Sequence, residues 1–295
     1  MSAGPDPEAR ARLRGIALVV AAYATFSGLD AAAKYLTALH AVPLVVAGRF
    51  AFALAFVLAL FLPGRGTRLF HTQRPRVQLL RGLLLMTATG LNFTALQYLQ
   101  LAETASILFA APLFMCALSV PLLGERVGPR RWSAVVVGFL GVLIIMRPGS
   151  GALHWAAFLS LGAAFSVAVF QLLTRRLALH DRAETTLVYS TLVGALVSVP
   201  AAPFVWTLPD GFGWAAMAAM GFFGGFGHYL LVRAYHLAPA PVLAPFSYSQ
   251  ILWMIAIGFV AFGDLPDLWT VAGGLVVVAS GLYLLHRERV RRGAS

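Results

Sequence analysis

Ten long apolar stretches run along the 295-residue chain, and they leave it very few folds. They cover Arg14 to Leu36, Pro43 to Leu62, Gln78 to Leu99, Thr104 to Leu123 and Arg131 to Met146 in the first half. The second half has Leu153 to Leu177, Thr185 to Val205, Phe212 to Tyr235, Val242 to Phe262 and Leu268 to His286. A helix needs about 20 apolar residues to cross a bilayer, so each stretch is long enough to span. In hydrocarbon the backbone must satisfy its own hydrogen bonds. Long uniform runs do this as helices, whereas a barrel needs short alternating strands. The chain is therefore expected to be an all-α polytopic membrane protein with ten transmembrane helices. With 60% hydrophobic and only 11% charged residues, composition points the same way.

Charge fixes the expected orientation. All but three of the 22 lysines and arginines fall in segments on the amino-terminal side of the membrane. The exceptions are Lys34 and Arg147 on the opposite side and Arg49 within a span. The positive-inside rule then puts both termini in the cytoplasm. The net charge of +11 is thus a topology signal directed at anionic lipid and not at nucleic acid. The opening residues MSAGPDPEARARLRG read as a cytoplasmic tail without a cleavage motif.

The two halves echo one another. Lys34-Tyr-Leu ends the first span as Arg175-Arg-Leu ends the sixth, and LQYLQLA (96–102) resembles VRAYHLA (232–238). Each half closes its fourth span with an acid, Glu125 or Asp264, and opens its fifth with Trp132 or Trp269. Five spans per half is an odd number, so the halves must enter the membrane in opposite directions, an inverted repeat with its site near the midplane. The expected boundaries are a tail at 1–13, repeats at 14–148 and 149–287, and a tail at 288–295.

Proline in the fourth span (Pro112 of APLF), Gly124-Glu125 thirteen residues later, and glycine-rich fifth and tenth spans (VGFLGVLII, AGGLVVVASGLYLL) complete a pattern. It resembles the drug/metabolite transporter superfamily in its EamA-type branch. Ile251 stands where the second repeat commonly has proline, and Asp264 where glutamate is usual. The resemblance implies a secondary carrier in a bacterial cytoplasmic membrane, working by alternating access. The implied activity is export of amino acids, including large neutral and aromatic ones. The alternative is uptake of a nucleoside-like cofactor such as S-adenosylmethionine or riboflavin.

Costly polar groups mark the expected site. Arg49 lies in VVAGRFAFALAFVLALF, where a guanidinium costs about 2.5–3.5 kcal/mol on insertion scales. Tyr23, Ser27, Asp30 and Lys34 form one stripe on the first helix. Asp30 is expected at Arg49's depth and as its partner, with Lys34 competing. These three make either a structural ion network or a gate offering positive charge to a substrate carboxylate. Aligning the repeats sets Asn92-Phe93 on His228-Tyr229, a polar group followed by a ring at matching midplane levels. Tyr248 and Trp253 join the expected substrate-binding set of Asn92, Phe93, His228, Tyr229, Tyr23 and Arg49. Gln171 and Gln250 are further polar candidates, while Glu125 and Asp264 read as solvated or helix-anchoring acids. Gly221, Gly224 and Gly225 either pack helices closely or clear space beside a cavity.

Other chemistries find no support in the residues. There is no GxxxxGK[ST] string, no GxGD motif, and Ser150 has no placed histidine partner. Histidines are not paired at ligand spacing, and Cys116 stands alone, so neither metal site, cofactor nor catalysis is expected. The expected partners are a small-molecule substrate and the bilayer. The glycine-rich faces serve packing within one chain or between two, as monomer or homodimer.

Overall fold

A computed structural model describes residues 7–123, 127–148, 153–177, 180–238 and 240–293; Glu125 and Ser150 lie outside the described residues. Ten helices in it are long and apolar enough to cross a membrane, from Arg10–Leu39 to Leu268–His286. The first three spans are α1 (Pro7–Leu39), α2 (Val42–Arg65) and α3 (Pro75–Leu96). The fourth is broken into α4 (Leu101–Leu108) and α5 (Ala111–Leu123), and α6 (Pro129–Met146) closes the first repeat. The second repeat has α7 (Ala156–Leu177), α8 (Ala183–Ser198) and α9 (Gly211–Leu237). Its fourth span opens with the short α10 (Ala240–Leu243) and a 3-10 turn at Ala244–Tyr248 before α11 (Ser249–Phe262), and α12 (Leu268–Gly293) ends the chain.

Helix starts follow local chemistry. Proline, which has no N–H to leave unpaired, opens the first turn of α2, α3 and α6. Asp210 caps α9 by accepting from the Gly213 amide at 2.6 Å.

Packing obeys the inverted repeat. The first span pairs with the eighth (α1 on α9), and the sixth with the third (α7 on α3), which is the same contact under a twofold exchange of halves. The self-related pairs α2 with α8 and α6 with α12 complete the bundle. One core gathers Leu29, Leu36, Phe50, Phe93 and Met217, and another gathers Ile107, Leu113, Val142, Ile145 and Val277. The glycine-rich faces of the fifth and tenth spans meet each other within the chain. A Cβ on Gly273 would stand 2.5 Å from the Gly141 carbonyl oxygen and 3.0 Å from the Ile145 amide nitrogen. Gly221 likewise lies against the Phe52–Ala53 backbone, whereas Gly224 and Gly225 border a void described below.

The end of the bundle that carries both termini is tied by Asp181, in the connection before α8. It accepts from the Thr72 hydroxyl, from the Gln73 amide at 2.9 Å and from Gln78 Nε2 at 2.8 Å, so one carboxylate links the α2–α3 connection to the second repeat. Partial burial works to raise this carboxyl, but the hydrogen bonds from Thr72, Gln73 and Gln78 outweigh it and hold the group below its ordinary range.

Gly273→Ala is expected to lower stability by about 1–3 kcal/mol, because backbone is what the new methyl meets, and an unchanged Tm in detergent would contradict the contact. A depressed folded-state value stabilises above the unfolded carboxylate pKa and ceases to do so as pH falls through the folded value. Asp181→Asn should therefore lower Tm at neutral pH and flatten its decline below about pH 4, measured against the native chain.

Candidate functional site

The two broken spans converge on a cavity of about 390 Å3. Pro112 has no amide hydrogen for the Leu108 carbonyl, so the helix breaks at Phe109–Ala110. On the other repeat Pro245, at the start of the 3-10 turn, similarly interrupts the approach to α11. The breaks face each other, with the Phe109 and Tyr248 rings 4.9 Å apart. Tyr23 of α1 and Tyr235 of α9 add rings to the walls, and Gln171 and Gln250 add amides. Arg131 at the start of α6 and Arg175 at the end of α7 stand toward the termini-bearing end, and the Arg131 Nε has no hydrogen-bond partner. Among the described residues no carboxylate lines this cavity.

The expected site residues divide into three groups. Tyr23 and Tyr248 line the cavity, as do Gln171 and Gln250. Arg49 and His228 border a separate, smaller void. Asn92 and Phe93 border neither. Asn92 donates to Asp30 Oδ1 at 3.0 Å, and Phe93 is 1% exposed within the core. Tyr229 accepts at 3.1 Å from the exposed Arg233, and Trp253 is 39% exposed on the outer surface of the bundle. His228 and Asn92 both reach α1, but one turn apart. The His228 ring meets Phe26 edge-on at 5.0 Å, and its Nδ1 donates to the Gly224 carbonyl at 2.8 Å.

The ion network is rearranged relative to expectation. Asp30 and Arg49 form no ion pair among the described residues. Arg49 Nη1 donates to Thr89 Oγ1 at 2.7 Å, and the guanidinium lies over the Phe50 ring at 4.6 Å. Lys34 takes Asp264 instead, at 2.7 Å, and donates to the Leu99 carbonyl at 3.1 Å. Asp264 is therefore not a free solvated acid. Gly263 at φ 71° turns the chain after α11 and brings that carboxylate to α1. Arg147 pairs with Asp267 at 2.7 Å, so the end opposite the termini is held by two ion pairs.

Sequence reasoning missed Arg81. Its place near a span end reads as one more positive-inside charge, yet the side chain is 6% exposed. It donates through Nε to Thr174 Oγ1 at 2.6 Å and through Nη1 to the Thr186 carbonyl at 2.9 Å. Its six-residue distance from Pro75, equal to that of Arg49 from Pro43, was the available signal. Arg131 and Arg175 were also absorbed into the charge count.

Ten membrane-spanning helices in two inverted halves, with broken spans meeting at a ring-lined cavity, are the architecture of a multi-pass membrane transporter. The chain matches the EamA-like transporter family over residues 13–147 and 154–286, one match per repeat, and it belongs to that family as a transporter. It is 30% identical to an S-adenosylmethionine uptake transporter of Rickettsia prowazekii, over 94% of each chain. It is 28% identical to a riboflavin transporter of Vibrio cholerae, again over 94% of each. A solved protein structure at 20% identity superposes with a TM-score of 0.64, covering 97% of this chain and 99% of that one, and shows the same fold.

Lys34→Gln, Asp264→Asn and the double variant form a cycle for the ion pair that closes the far end. A pair this accessible to water couples by up to about 1 kcal/mol, so the double variant should lose less Tm than the two singles together. Strict additivity would show that the pair contributes nothing.

Proposed function

We propose that this chain takes up a nucleoside-like cofactor of the S-adenosylmethionine type across a bacterial cytoplasmic membrane by alternating access. The observation that carries the reading is the cavity. At about 390 Å3 it falls within the usual 300–1,000 Å3 of small-molecule sites. Three tyrosines and Phe109 offer stacking faces to a base, and Gln171 and Gln250 offer a donor and an acceptor each to its edge. Arg131 and Arg175 suit a carboxylate. A sulfonium would be met by tyrosine faces and by the Leu108 carbonyl that Pro112 leaves without a donor. The excess of lysine and arginine on the amino-terminal side supports a cytoplasmic position for both termini, so the cavity faces inward in this state.

An amino acid would leave most of these rings unused, and the relatives named above are described by cofactors, so the cofactor reading is preferred to amino-acid export. Riboflavin is the second reading, favoured by one observation: walls without a carboxylate impose no demand for positive charge on the ligand.

In proteoliposomes, labelled S-adenosylmethionine should accumulate and be displaced by the unlabelled compound but not by phenylalanine. Transport of phenylalanine alone would overturn the reading, and riboflavin transport alone would select the second. Stacking of a base on an aromatic ring is worth about 1–3 kcal/mol, so Tyr248→Ala should reduce uptake about tenfold while folded yield is kept.

A further inference from the structure

We propose that a single halide ion, chloride in the cell, sits in the smaller void between Arg49 and Arg81 and stabilises the packing of the two repeats in this conformation. The void is bordered by Arg49 of α2 and Arg81 of α3 from the first repeat, and by Phe170, Ser190, Gly224 and His228 from the second. Both guanidiniums are deeply buried, at 9% and 6% exposure, and both belong to membrane-spanning helices.

Their charge is not cancelled by protein. Every hydrogen-bond partner of Arg81 is neutral: Thr174, the Thr186 carbonyl and Ser190. Arg49 donates to Thr89, also neutral, and its Nε is buried with no partner at all. The nearby acid is Asp30, which attracts Arg49 through space but accepts its hydrogen bond from Asn92. Arg49 thus has one acid nearby and Arg81 has only neutral partners, and a buried charge without compensation is strongly destabilising. Among the described residues no carboxylate borders the void to repel a second anion.

Size selects the anion. The void measures about 20 Å3, enough for one occupant the size of a water molecule. A carboxylate or phosphate has several heavy atoms and does not fit, which separates this site from the large cavity and its organic ligand. Water would fit but carries no charge to offset the surplus. Much of the remaining lining is carbon, from Phe50, Leu85, Phe170 and Leu187, and favours a weakly hydrated halide. The Ser190 hydroxyl donates to its own helix at the Thr186 carbonyl, and His228 Nδ1 donates to Gly224, so the guanidinium N–H groups are the donors left for the ion. An ion held by Arg49 and Arg81 and enclosed by second-repeat residues, with Arg81 itself bonded to α7 and α8, stabilises the arrangement that forms the void and opposes any motion that separates α2 and α3 from α8 and α9.

The test needs no transported substrate. Purified protein in gluconate buffer is titrated with sodium chloride or bromide at constant ionic strength. Binding to the folded state alone should raise Tm steadily with the logarithm of halide concentration above Kd, by about 5 °C at a hundredfold excess over Kd. Arg81→Gln and Arg49→Gln should each abolish the chloride-dependent rise, while Arg65→Gln, which removes a surface pair with Glu184, should retain it. Should either inner variant fail to fold, bromide-soaked crystals of the native chain decide by anomalous density between Arg49 and Arg81. Equal Tm in chloride and gluconate, a rise that survives Arg81→Gln, or bromide density absent from this void would each overturn the proposal.

Discussion

A charge drawn into hydrocarbon has to be met by the protein itself, and this demand organises the bundle. Lipid offers no competing donor or acceptor, so each ionised side chain recruits a group from another helix or from its own backbone. Lys34 reaches Asp264 across 230 positions of sequence, and Asp30 reaches Asn92 across 62. Arg81 collects partners on α7 and α8, both in the opposite repeat. These bonds fix which faces of α1, α3, α7 and α8 meet, where apolar packing against helices or lipid differs little in energy.

The same demand breaks the twofold symmetry that the backbone keeps. The pairs α1 with α9 and α7 with α3 are equivalent in packing, yet their polar contents are not. Asp30 on α1 is held by Asn92, whereas its approximate counterpart Gln171 on α7 turns to the cavity. His228 meets the Phe26 ring while Asn92, its sequence counterpart, meets a carboxylate. A symmetric frame thereby carries an asymmetric interior. The large cavity draws its amides from α7 and α11, both in the second repeat, and the guanidiniums of the small void come from the first.

Element existence was legible because a twenty-residue apolar run has a single stable form in a bilayer, and repeat direction followed from an odd span count. Tyr23 was legible as the inner end of the stripe it shares with Ser27, Asp30 and Lys34, whereas Tyr248 entered only as one ring among several. What stayed hidden was direction around each helix. A span surrounded by lipid and protein can be apolar on all sides, so periodicity does not tell Trp253, turned outward, from Tyr248, turned inward. Repeat alignment gave Asn92 and His228 a shared depth but no shared orientation. The Lys34–Asp264 contact was illegible for another reason: it depends on the Gly263 turn and on a crossing of distant helices. Arg81 was misassigned because a charge near a span end is the usual signature of topology.

Unequal burial decides which contacts are cheapest to break. Lys34 and Asp264 retain 18% and 27% of their side-chain exposure, and Arg147 and Asp267 retain 30% and 42%. Ion pairs this accessible to water are worth about 0–1 kcal/mol, so opening that end replaces weak contacts by hydration. One turn deeper, Asp30 and Asn92 are each 8% exposed, and separating them would strand a carboxylate and an amide away from solvent at a far higher cost. Helix α1 therefore carries a breakable contact at Lys34 and a durable one at Asp30. A motion that opens the far end is cheapest if α1 and α3 stay joined at Asp30–Asn92 while the turn bearing Asp264 swings away.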